Sequence, residues 1–213
     1  MPNFNCHFVG AVGVSFWLYD YSFCFISSHL AAHIEKVGKR NADYKEIISQ
    51  MKLGNKDIDI NNQFHYMYWM GDLNYRLEAP RDTVLDLIKT TDIERLLGKI
   101  FRSKFYSSYL TRVLYSALDQ LFLWKHRGEV FHGFEEHTIA FMPTYRFDRC
   151  IFDQQGKRIY SEEKMRVPSW TDRVLWRGLP NCPIEVMKYD AVHAVATRYL
   201  SITPLYFYRI ITC

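Results

Sequence analysis

This sequence predicts an α/β fold in one domain, without a disulfide or zinc framework, and one observation supports each part of that statement. Short runs of apolar, aromatic and β-branched residues alternate with longer segments of helical periodicity. The chain has 213 residues, 48% hydrophobic and 16% aromatic, which suits one domain with a sizeable core. Its five cysteines form no Cys-x-x-Cys pair, which argues against a disulfide framework or zinc ribbon and for a reducing, cytoplasmic setting.

The elements follow in order. Val12 to Phe16 and Tyr21 to Ser28 read as strands, the second rich in β-formers. Leu30 to Leu53 reads as a helix, with Val37, Tyr44, Ile47, Ile48 and Met51 at helical spacing and Gly54-Asn55 as its stop. His65 to Met70 is a strand broken by Gly71. Thr83 to Leu97 is an amphipathic helix carrying Val84, Leu87, Ile88, Ile93 and Leu96. Gly98 to Leu123 is basic, rich in Tyr and Phe, and poorly periodic. Thr138 to Phe141 is strand-like, residues 150–166 read as a loop, and Val174 to Arg177 and Glu185 to Lys188 read as strands.

Charge and hydropathy exclude several classes. Lys plus Arg number 27 against 23 Asp plus Glu, a net +4 too mild to indicate nucleic-acid binding. It suits an anionic small molecule or peripheral contact with an anionic membrane. Leu18 to Ile26 is interrupted by Asp20 and the tail by Arg209, so neither reads as a transmembrane segment. The opening MPNFNCHFVG lacks a basic n-region, and no signal peptide is expected.

Four segments carry candidate chemistry. In Tyr68-Trp69-Met70-Gly71-Asp72-Leu73-Asn74-Tyr75-Arg76, an acid, an amide and a base alternate just beyond a strand, where α/β sheets bind ligands. Asp72 suits a general base and Asn74 a hydrogen-bond donor to a phosphate oxygen, although Gly-Asp and Asn are also ordinary turn formers. In Phe25 to His33, a strand runs into His29, placed to donate to an anion or to bond backbone in the core. His29 and His33 lie four apart, but no Glu follows His29, so zinc-protease spacing fails. In Lys164-Met165-Arg166-Val167-Pro168-Ser169-Trp170-Thr171-Asp172-Arg173, two bases two apart face the same way in extended chain and suit a phosphate. A solvated basic loop with a local Asp172-Arg173 pair would look the same. In Pro143-Thr144-Tyr145-Arg146, Arg146 either grips a phosphate or is solvated.

Taken in this order, F-x-x-S-H-L-x-A-H, W-x-G-D-L-N-Y-R, P-T-Y-R-F and K-x-R-x-P-S-W-x-D-R-V-L resemble the inositol polyphosphate 5-phosphatases. Gly10 to Phe16, Arg40-Asn41-x-x-Tyr44 and Phe131 to Glu136 agree, so the resemblance covers about residues 10–97 and 118–197. It implies a DNase I-like fold, a four-layer α/β sandwich in which two packed mixed sheets are flanked by helices. It also implies Mg²⁺-dependent hydrolysis of the 5-phosphate of inositol phosphates or phosphoinositide lipids. By match, His29 would bind the scissile phosphate, Asp72 would orient or deprotonate water, and Asn74 would help hold the phosphate. Tyr145, Arg146, Lys164 and Arg166 would read a neighbouring phosphate, and Asp172 and Arg173 would form a charged pair at the substrate.

The sequence departs from the family at three places. The family's metal-binding glutamate lies upstream of the Gly-rich strand, and residues 1–9 contain no acid, so no metal ligand is assigned. The family ends in Ser-Asp-His-x-Pro-Val, where this chain reads Leu200-Ser201-Ile202-Thr203-Pro204-Leu205. Residues 98–117 read as an insertion. The expected organisation is therefore a partial catalytic domain over 1–198, short at both ends, and an atypical tail over 199–213.

Overall fold

The computed structural model describes residues 10–96, 118–139, 141–154, 156, 158–191 and 204–210, with the backbone alone at 90–96, 149–150 and 204–210. The insertion expected at 98–117 lies outside these residues.

The central element is a four-stranded sheet of order β1-β2-β3-β6. β1 (Gly10–Leu18) and β2 (Tyr21–His29) form an antiparallel hairpin in regular register. β3 (Tyr66–Asp72) runs parallel to β2, and β6 (Asp172–Gly178) closes the other side antiparallel. Alternation along β2 and β3 splits the side chains between two faces. Cys24, Ile26, Met67, Trp69 and Leu175 point to a core that holds Tyr44 of α1 (Val37–Gln50). Phe23, Tyr66, Tyr68 and Trp176 point the other way, towards Ile184 and Val186 of β7 (Ile184–Ala191). Val186 also touches a further cluster, in which Tyr189 and Ala191 meet Val84 and Ile88 of α2 (Arg81–Leu96). The clusters thus stack as helix, sheet, strand pair and helix. β8 (Pro204–Ile210), inside the tail expected to be atypical, pairs antiparallel with β7.

Three expectations shift. The helix after β2 begins at Val37, not Leu30. The carbonyls of Ala31, His33 and Ile34 accept from the buried Arg40 at 3.0, 2.5 and 3.3 Å, and Ile34–Lys36 forms only a 3-10 turn before the helix. Arg40 thereby ties the chain after β2 into a non-helical path up to His33. The segment expected as a loop over 150–166 contains a ladder between β4 (Phe147–Phe152) and β5 (Arg158–Tyr160). Stacking of Phe147 on Tyr160, centroids 4.3 Å apart, adds an aromatic cross-strand pair that charge content concealed. Finally, residues 138, 139 and 141 form no strand. Ile139 and Phe141 are apolar because they fill the core beside α2. A short helix, α3 (Gln120–His126), follows the undescribed stretch, with Asp119 as N-cap accepting from Phe122 N.

Candidate active site

The site begins with strand register. β3 opposes Asp72 to Asp172 of β6, and Leu30 N donates to Asp72 O at 3.0 Å, which draws the end of β2 alongside. Gly71 makes this approach possible. Its φ is +126°, and a Cβ there would lie 2.2 Å from Ser28 O, so only glycine fits. His29 and Asp72 therefore converge, with Nε2 3.6 Å from Oδ2. The His29 side chain is 69% exposed and that of Asp72 28%, so the pair opens to solvent from a partly buried base.

Electrostatics single out the two carboxylates. Burial raises Asp72 above the usual carboxylate range, while His29 and Arg76 oppose the rise. Burial and the facing Asp72 push Asp172 up to about 7, although Thr171 Oγ1 donates to it at 3.1 Å. Two near carboxylates do not readily ionise together. A divalent cation would relieve this, and Mg²⁺ is commonly held by one or two carboxylates plus substrate phosphates. Asp72 and Asp172 fit that mode. Among the described residues no group of three or more His, Cys, Asp or Glu side chains is placed to hold a metal.

Asn74 is more committed than its position suggested. It is buried with φ +56°, its Nδ2 donates to Leu30 O at 2.9 Å, and its Oδ1 accepts from Arg76 Nη2 at 2.5 Å. One amide hydrogen is left for a ligand.

The second group of predicted residues lines the neighbouring cleft. Tyr145 and Ser169 exchange backbone hydrogen bonds at 3.0 and 2.9 Å, which brings the Pro-Thr-Tyr segment against the Pro-Ser-Trp segment. Arg166 Nη1 donates to the Tyr145 hydroxyl. A cavity of about 290 Å³ opens here, lined by His33, Glu35, Arg76, Lys164 and Arg166 among others. Lys164 and Met165 both have positive φ, 62° and 46°, in the turn that carries Lys164 to the cavity wall. Arg146 does not line this cavity and instead pairs with Glu163 at 2.6 Å.

Arg173 is a correction. Expected at the substrate, it is fully buried. Its Nε and Nη2 donate to Glu136 at 2.6 and 2.7 Å, and Nη1 donates to Asp119 at 3.0 Å. Tyr189 donates to Glu136 at 2.8 Å. The physical reason is strand alternation: if Asp172 faces the site, its neighbour in β6 faces the interior. Sequence reading also passed over Arg76 as a site residue, although the alternation Asp72, Asn74, Arg76 marked it.

A helix-flanked sheet, with an acid pair at the end of neighbouring strands and a basic cleft beside it, defines an α/β domain with an anion-facing site at its strand ends. The sequence matches the Endonuclease/Exonuclease/phosphatase family 2 model over residues 5–198, and the chain belongs to that family. Within it, the chain is of the inositol polyphosphate 5-phosphatase type, a group of phosphoric monoester hydrolases with the DNase I-like fold. It is 37% identical over 193 residues to phosphatidylinositol 3,4,5-trisphosphate 5-phosphatase 1 of Rattus norvegicus, covering 88% of this chain and 15% of that protein. It is 36% identical to phosphatidylinositol 3,4,5-trisphosphate 5-phosphatase 2 of Homo sapiens, covering 88% of this chain and 14% of that one. The inositol polyphosphate 5-phosphatase domain of SPsynaptojanin, solved with inositol (1,4)-bisphosphate and calcium ion, superposes with TM-score 0.69 at 32% identity. That match covers 92% of this chain and 48% of the solved one, so the chain spans about half of that structure and a small part of its curated relatives. Cimex nitrophorin shares the fold alone, at 22% identity and TM-score 0.62 over 96% of this chain and 60% of the other.

Proposed function

We propose that this chain carries the reaction centre of a Mg²⁺-dependent phosphatase that removes the 5-phosphate from a phosphorylated inositol, as a phosphoinositide headgroup or its soluble counterpart. The observation that carries the reading is the His29–Asp72 pair beside a basic cavity of about 290 Å³. A phosphomonoester needs a cation at its equatorial oxygens and a water held in line. His29 donates to the scissile phosphate, Asp72 takes a proton from or orients the water, and Asn74 offers its remaining amide hydrogen. Asp172 lies across the ladder from Asp72, and both would hold the metal, which would supply charge neutralisation. Lys164, Arg166 and Tyr145 face a second phosphate on the ring, and multiple fixed cations select a multiply phosphorylated ligand. The relatives' names, which specify phosphatidylinositol 3,4,5-trisphosphate, support a lipid headgroup met at an anionic membrane surface.

A second reading follows from Ser201 and Ile202, which stand where the resemblance places an acid and a histidine. On that reading the chain binds inositol phosphates without turnover. Phosphate release from a 5-phosphorylated inositol lipid separates the two. Release that is lost on chelating Mg²⁺ and in Asp72→Ala supports the phosphatase. Binding by the wild type without release overturns it in favour of the second reading.

A further inference from the structure

Arg76 is a charged side chain that touches both halves of the site, Asn74 on one side and Tyr145 on the other. Its backbone is pinned to α3: Arg76 N donates to Gln120 Oε1 and Gln120 N to Arg76 O, each at 3.0 Å. Its side chain is buried, with Nε donating to Asn74 O at 3.1 Å and Nη2 to Asn74 Oδ1 at 2.5 Å. On the opposite side the guanidinium lies 4.1 Å from the centroid of the Tyr145 ring. Tyr145 in turn holds Arg166, whose guanidinium sits 5.7 Å from the same centroid. Arg76 also lines the cavity with Lys164 and Arg166, and its Nη1 makes no hydrogen bond to any described residue.

We propose that Arg76 is the floor of the anion cavity: its Nη1 contributes directly to binding a ring phosphate, while its other two nitrogens and its face lock Asn74 and Tyr145 into place. This rests on the inositol phosphate reading above and adds a contact to it. The chemistry favours arginine over lysine. Three separate demands fall on one group: a two-point grip on Asn74, a flat face for an aromatic ring, and a free donor for an anion. A planar guanidinium meets all three, and an ammonium cannot. Burial drops its pKa to about 10, still well above neutrality, so the charge persists while its hydration is mostly removed. A desolvated cation attracts an anion more strongly than a solvated one. Arg76 also opposes the rise of Asp72, so the same charge supports the carboxylate at the strand end.

The test is calorimetric titration of the full chain with inositol 1,4-bisphosphate at several salt concentrations. The proteins are wild type, Arg76→Lys, Arg76→Gln and Lys164→Ala, each checked for folding by circular dichroism. Arg76→Gln keeps a planar amide that can still donate to Asn74 but removes the charge. It is expected to lose about tenfold or more in affinity, since a hydrogen bond to a charged group goes with it. Its affinity should also depend less steeply on salt. Arg76→Lys is expected to keep the salt dependence and lose less affinity. A merely structural arginine would shift the melting temperature of both variants and leave affinity and salt dependence of the folded protein as in the wild type; that result overturns the proposal. Failure of Arg76→Gln to fold leaves the decision to Arg76→Lys, whose unchanged affinity would overturn it too, because lysine cannot reproduce the grip. Absence of binding by wild type overturns the inositol phosphate reading itself, which is a different outcome from binding that ignores Arg76.

Discussion

His29, Asp72 and Asp172 ride on three neighbouring strands of one sheet, whereas Tyr145, Lys164 and Arg166 sit on connecting segments held by side chains. In the first group, register does the placing. In the observed register of β3 on β6, Asp72 opposes Asp172, and a one-residue slip of β6 would turn Asp172 to the other face. In the second group, placement depends on individual contacts: the Tyr145–Ser169 bridge, the Arg166–Tyr145 bond and the positive-φ turn at Lys164. The difference teaches that the proposed reacting end is coupled to stability of the sheet, while the proposed recognition end can be altered with the fold kept.

The sharpest contrast lies between two arginines seven residues apart. Arg173→Met would leave Asp119 and Glu136 buried without their cation, which costs on the order of 3–5 kcal/mol. Arg166→Met, at the cavity wall, should stay within about 1 kcal/mol of wild type in urea unfolding. Equal losses would break the comparison. Next in size is Gly71→Ala, where a new Cβ would meet Ser28 O and the backbone must move. A loss of about 1–3 kcal/mol is expected, together with separation of His29 from Asp72.

The pH response sharpens the same contrast. Asp172 ionises near 7 in the folded chain and near 3.9 when unfolded. Between those values the folded state holds a proton that the unfolded state has released. Metal-free stability therefore falls as pH rises through about 4 to 7. Asp172→Asn removes that fall, so its melting temperature should exceed the wild-type value at pH 8 and nearly match it at pH 4. A variant less stable than wild type at pH 8 would contradict the carboxylate repulsion. The smallest effect is expected at Arg146. Its partner Glu163 is half exposed, and Arg146→Ala should change stability by under about 1 kcal/mol and affinity little, since it lies outside the cavity.

Much of this was legible in the sequence, for identifiable reasons. Strong β-formers and helical periodicity located β2, β3, β6, β7, α1 and α2, although with different boundaries. The motif Arg40-Asn41-x-x-Tyr44 matched the family's helix, but the sequence assigned no role to its polar members, which are buried. Arg40 ties down the loop after β2, Asn41 accepts from the Tyr75 hydroxyl at 2.8 Å, and Tyr44 packs on Phe131 with centroids 4.2 Å apart. Period alone cannot reveal this, because a buried hydrogen-bonded arginine has the same letter as a solvated one. The same ambiguity hid the interior role of Arg173 and the cleft role of Arg76. The β4–β5 pair was missed because its apolar signal is short and split by charges.

The central claim is that reaction and recognition occupy separable ends of one site, and steady-state phosphate release from a 5-phosphorylated inositol lipid in Mg²⁺ tests it most directly. Wild type, Asp72→Asn and Lys164→Ala would be compared. The account predicts that Asp72→Asn lowers kcat by about 10²–10⁴-fold with KM near wild type, as removal of a general base does. It predicts that Lys164→Ala raises KM with kcat little changed, as loss of uniform binding does. No release from wild type, or both variants moving kcat and KM alike, would contradict it.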